Sequence, residues 1–168
     1  MRTRFPILMA LIAVLVASAA PASAATTSID PNDAAGPLDL HVLRVDQSSN
    51  GILHVRISLY HGWNKTIVSK GGPDRWFVYF DIDSSPGWEY RGRISYSNGD
   101  LALSIKGNNS NFEPLPVKKP TAKALQFTVP GGAQMTPDGV GIATRTIYVA
   151  EDNTYFDRAP DTGFIADD

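Results

Sequence analysis

Cysteine is absent from all 168 residues. That absence alone removes a disulfide scaffold, a thiolate zinc site, a cysteine nucleophile and a lipid-modified N-terminal cysteine. Excess charge is scarce as well: the formal net charge is -2 and the sequence pI is about 5.9, which excludes a nucleic-acid partner held through phosphate contacts. No G-x-G-x-x-G or Walker pattern occurs, so nucleotide binding has no motif behind it, and no G-x-S-x-G elbow supports a serine nucleophile. Nor does any window sustain a 3.6-residue apolar period between caps, so helix is expected to be minor. What is present is a foldable composition, 43% hydrophobic and 19% charged, with 14 glycines and 12 prolines to supply turns. Those values exclude wholesale disorder and favour a single loop-punctuated β domain.

The N-terminus has the three-part pattern of an export signal. Arg2 and Arg4 precede an apolar run from Ile7 to Val16, and the small residues Ala22-Ser23-Ala24 form an A-x-A exit. The run falls short of the roughly 20 apolar residues a spanning helix needs. Residues 1–24 therefore read as a signal peptide cleaved before Ala25, which makes the protein secreted or extracytoplasmic, with no membrane span after cleavage. Loss of Arg2 and Arg4 leaves 13 Lys and Arg against 17 Asp and Glu, a formal charge of -4. Residues 25–36 are small, polar and aperiodic, a flexible acidic lead-in or a clip lying over the fold, and residues 37–168 read as one domain.

Within that domain, period-two alternation dominates. Leu53, Val55, Ile57 and Leu59 alternate with His54, Arg56, Ser58 and Tyr60, a half-buried strand. Leu38, Leu40 and Val42 form its expected hairpin partner, with Val42 opposite Val55 if Asp46 faces Gly51. Residues 75–83 form an apolar strand, and Ser97-Asn98-Gly99-Asp100 marks a tight hairpin between Tyr90–Tyr96 and Leu101–Ile105, since both central positions accept positive φ. Residues 106–123 read as loop, and residues 141–150 as the last strand. Seven or eight strands at this spacing predict an all-β, two-sheet antiparallel β-sandwich, jelly-roll-like, with little helix. Its expected core comprises Leu40, Val42, Val55, Ile57, Val78, Phe80, Leu103, Ile105, Phe127 and Ile147.

Two groups of residues are candidates for function. Asp81 and Asp83 project from one face at a strand end, and Glu89 follows beyond a Pro-Gly turn. Such an oxygen-rich cluster suits calcium, with a lead-in acid such as Asp33 completing the shell. Arg91 and Arg93 are the competing partners for those carboxylates, as ion pairs without metal. The second group is aromatic: Trp63, Trp88 and Tyr90 lie in loops or at strand ends, where flat rings stack on sugars or anchor proteins. His41 and His54 share the outward face of the expected hairpin, yet a third ligand for a transition metal is missing.

An acidic Asp30-Pro31-Asn32-Asp33 lead-in, Leu38-Asp39-Leu40 opening the first strand, an apolar strand running into Asp81-Ile82-Asp83, and a closing DRAPDTG at residues 157–163 together resemble uncharacterised bacterial exported β-sandwich domains. More distantly they resemble the DOMON and family 9 carbohydrate-binding-module group. The resemblance implies a jelly-roll-like sandwich that binds an extracellular ligand, in some cases with a structural calcium. The Met/His pair that holds haem in electron-transfer DOMON domains is absent. The favoured reading is an exported non-catalytic binding or structural module, with calcium as its one candidate cofactor and a glycan or protein as its extracellular ligand. The alternative is a small secreted hydrolase, glycosidase-like, using the same acids as general acid and base.

Overall fold

The computed structural model describes residues 25–48, 50–82, 87–107, 110–130 and 141–166. The expected signal segment lies outside the described residues, and so does Asp83. The strands are β1 (Thr26–Ile29), β2 (Leu40–Gln47), β3 (Leu53–Leu59), β4 (Arg75–Asp81), β5 (Tyr90–Ser97), β6 (Asp100–Gly107), β7 (Ser110–Asn111), β8 (Leu115–Thr121), β9 (Ala124–Val129), β10 (Gly141–Ala150), β11 (Asn153–Ala159) and β12 (Ile165–Ala166). One 3-10 turn, Lys65–Val68, is capped by the Asn64 side chain, which accepts a hydrogen bond from the Thr66 amide at 3.1 Å. No α-helix occurs among the described residues, and no helix there is long and apolar enough to cross a membrane.

All-β architecture with antiparallel pairing is as expected, and the strands join in one continuous pairing order rather than in two unconnected sheets. Ten strands hydrogen-bond in one continuous order, β1-β2-β3-β9-β8-β6-β5-β4-β10-β11, with β7 added to β6 and β12 to β10. The ends of this ribbon approach each other, β2 against β11 and β1 against β12, so the sheet is nearly closed into a barrel. Strand β8 makes it continuous, because it pairs with β6 on one side and β9 on the other. It falls in the stretch expected to be loop. Its Pro116 and Pro120 lack ladder donors, so its pairing is sparse and its alternation is hidden in the sequence.

The core lies inside this ribbon. Trp76, Val78 and Phe80 of β4, Leu53, Val55, Ile57 and Leu59 of β3, and Leu103 and Ile105 of β6 are all buried, as the alternation requires. Asn98 and Gly99, at φ 52° and 95°, make the expected two-residue turn between β5 and β6.

The first hairpin differs in register from expectation. Ser48 closes the turn by exchanging hydrogen bonds with Ile52, so Asp46 faces His54 and Val45, not Val42, stands opposite Val55. A bulge between Leu40 and Val42 then shifts the strand by one residue. Val42 is consequently half-buried, and Leu43 and Val45 fill the core positions. Ile147 is also only half-buried: β10 points Ile142, Thr144 and Thr146 inward. The two buried threonines have partners. Thr144 Oγ1 accepts from Trp76 Nε1 at 2.8 Å, and Thr146 Oγ1 donates to the Leu38 carbonyl at 2.7 Å.

Candidate cation site

The barrel seam brings four carboxylates together. Asp30 follows β1, Asp33 lies in the next loop, Asp39 immediately precedes β2, and Asp157 points inward from β11. One oxygen from each lies within 4.8 Å of the others. Local structure explains each position. The Asp30 amide extends the β1–β2 ladder to the His41 carbonyl at 2.8 Å, and the Tyr60 hydroxyl donates to the Asp30 carbonyl at 2.8 Å. The His41 ring rests on Tyr60 at 4.3 Å between centroids. Asp39 is held because its carbonyl accepts from the Tyr60 amide at 3.0 Å, while Thr146 fixes the preceding Leu38 carbonyl. Asp157 closes the seam: its Oδ2 accepts from the Leu40 amide and its Oδ1 from the Arg158 amide at 2.7 Å.

Burial makes this arrangement costly for charge. Asp30 and Asp39 are each 1% exposed, Asp157 is buried, and Asp33 alone faces solvent. None of the four oxygens of Asp30 and Asp39 makes a well-formed hydrogen bond, although the Ala34 amide approaches Asp39 and the Asp30 and Asp157 carboxyls lie close enough to share a proton. Desolvation first, and then the Asp157 charge, push the Asp30 carboxyl up to about 8. Asp39 is raised by the same two effects, and the nearby Ala34 amide and His61 only partly oppose them. Burial also raises Asp157, against the pull of its two backbone donors. Without a cation, burial and the neighbouring acids therefore hold Asp30 toward its protonated form at neutral pH.

The chemistry of the set is that of a hard cation. All four donors are carboxylate oxygens, with no imidazole or thiolate among them, which favours calcium or magnesium over zinc or copper. Calcium oxygens at 2.3–2.6 Å lie up to roughly 5 Å apart across the ion, so donors grouped this closely fit one ion. The exposed Asp33 side leaves room for water to complete six to eight ligands.

The residues singled out in the sequence fall elsewhere. Asp81 ends β4 opposite Gly141, and Glu89 accepts from the Ile82 amide at 2.8 Å; Asp83 lies outside the described residues. Arg91, a suggested partner for these acids, stacks over Phe77 and Trp88. Two of the three aromatic candidates are buried rather than at the surface. Trp63, 6% exposed, packs edge-on against Trp76 at 5.3 Å, and Tyr90, 4% exposed, packs against Phe112 at 5.5 Å. A core without disulfides draws in these large rings. Trp88 remains 45% exposed beside Tyr79. His41 packs against the Tyr60 ring, and His54 lies beside Thr128.

Of the four seam acids only Asp33 is a candidate ligand in the sequence; Asp30, Asp39 and Asp157 enter there only within the motifs that carry the resemblance. Asp157 is not legible as a ligand there because the alternation does not mark the strand Asn153–Ala159 that carries it. Asp39, between two leucines, looked like the polar side of an alternating strand. Comparison with protein-family models, curated proteins and solved structures finds no match.

Proposed function

We propose that this chain is an exported, non-catalytic binding or structural module whose barrel seam is closed by one calcium ion held by Asp30, Asp33, Asp39 and Asp157. One observation carries the reading: two fully buried carboxylates, none of whose four oxygens makes a well-formed hydrogen bond, face two further carboxylates. Ionising these clustered acids together is strongly unfavourable alone, and a divalent cation offsets that penalty. The expected signal peptide supports the choice of ion, because extracellular modules bind calcium at roughly 10⁻⁴–10⁻³ M.

Calcium that binds only the folded chain must stabilise it. At free calcium 100 times the dissociation constant, the gain is about 2.7 kcal/mol. Thermal unfolding at pH 8 in excess calcium and in chelator tests this: the midpoint is expected to rise in calcium, and coincident midpoints would overturn the reading.

A further inference from the structure

The outer face of β2, β3, β9 and β8 carries a row of side chains used by neither the core nor the seam. Register sets Arg44 opposite Arg56, Arg56 opposite Gln126, and Gln126 opposite Lys118. At about 4.8 Å per strand, the row spans about 14 Å. Arg44, Arg56 and Lys118 are exposed, and none of them has a hydrogen bond, ion pair or ring contact among the described residues. Two arginines directly opposite on one sheet face repel each other. Sheet stability alone does not favour such a pair, whereas a bound anion relieves it. The row borders a groove of about 430 Å³, and the adjacent row, Asp46 opposite His54 opposite Thr128, lines it too.

We infer that this groove binds an acidic oligosaccharide. Arg44 and Arg56 together take one carboxylate or sulfate group, since guanidinium donors match planar oxyanions in pairs. Lys118 takes a second acidic group two strands away, about 10 Å from Arg56. Between them Gln126 offers an amide, and His54 and Thr128 offer a ring nitrogen and a hydroxyl, groups that hydrogen-bond sugar hydroxyls. Asp46 in the wall accepts from hydroxyls but repels an unbroken phosphate backbone. The lining ring, Phe127, is buried, so no platform exists for stacked bases. The concentration of three cations is local, because the chain as a whole is net negative. Arg44 lies five positions along the chain from Asp39, roughly 15 Å, so the inference specifies a ligand for the proposed binding module without depending on the cation.

The test is calorimetric titration of the full chain in calcium with tetragalacturonate and with a sulfated chondroitin tetrasaccharide. Maltotetraose, inorganic sulfate and single-stranded DNA are the comparison probes. At least one acidic tetrasaccharide is expected to bind, more weakly at 0.5 M than at 0.05 M salt as exposed charges are screened. Arg44→Gln and Lys118→Gln are each expected to lower its affinity about tenfold, the loss of one charge-assisted contact. Their thermal midpoints are expected to match the wild type, and Arg56→Gln replaces either variant that fails to fold. Asp39→Asn is expected to leave sugar binding intact, which separates failure of the cation reading from failure of this one. The inference is overturned if neither acidic tetrasaccharide binds, if maltotetraose, sulfate or DNA binds as tightly, or if the variants bind like the wild type.

Discussion

Asp39 lies between Leu38 and Leu40, and all three are buried. In a regular strand the middle residue of such a triplet would face outward; here it sits just before the β2 bulge and points into the seam. Its carboxylate is a liability without a cation and a ligand with one, so the two conditions give opposite expectations for one substitution. Asp39→Asn removes the buried charge, and in chelator at pH 8 the variant is expected to unfold no earlier than wild type. In calcium it is expected to lose at least about 1.4 kcal/mol of the ion's stabilisation, a tenfold weaker site. Asp30 sets the pH dependence. Its folded carboxyl is raised from 3.8 to about 8, so the stability it contributes in chelator is full below about pH 4 and is lost as pH rises through 8. Melting in chelator from pH 5 to 9 is expected to show falling midpoints, while calcium, which needs the ionised acids, is expected to stabilise more at pH 8.5 than at pH 6.

Among the elements, β3 shows what alternation reveals. Its buried residues Leu53, Val55, Ile57 and Leu59 are those the pattern selects, and Ile57→Ala is expected to cost about 2 to 5 kcal/mol in urea denaturation while leaving the calcium increment unchanged. Strand β10 shows where alternation fails. Thr144 and Thr146 occupy inward positions that a hydrophobic count assigns to Ile147, because hydrogen bonds to Trp76 and Leu38 satisfy their hydroxyls. Thr146→Val strands the Leu38 carbonyl beside the cation site and is expected to cost about 1 to 3 kcal/mol, with weaker calcium binding in the same preparation. The lead-in was legible only as a clip or a flexible arm. Its β1 is a short polar edge strand whose pairing with β2 leaves no apolar signature. Gly36, at φ 106°, lets the connection lie against Tyr148, where a Cβ would stand 2.4 Å from the ring. No local pattern announces that contact, since its partner is more than a hundred residues away.

At the scale of the whole molecule, strand content and the core were readable from period-two alternation, whereas closure was not. A sandwich and a nearly closed barrel share the same alternation; they differ in whether β8 bridges two halves, and its prolines mask it. The cation site belongs to closure rather than to any element. Asp30, Asp33 and Asp39 come from one end of the chain and Asp157 from the other, joined where β2 meets β11. An ion there would tie distant segments together, and the gathering of these acids is invisible at short sequence spacing. The most direct measurement is titration calorimetry of calcium into the metal-free chain at pH 7, repeated in two buffers of different ionisation enthalpy. One calcium per chain is predicted, with heats that differ between buffers because binding expels the Asp30 proton. A folded chain that takes up no calcium, or takes it up equally well as Asp39→Asn, would contradict the account.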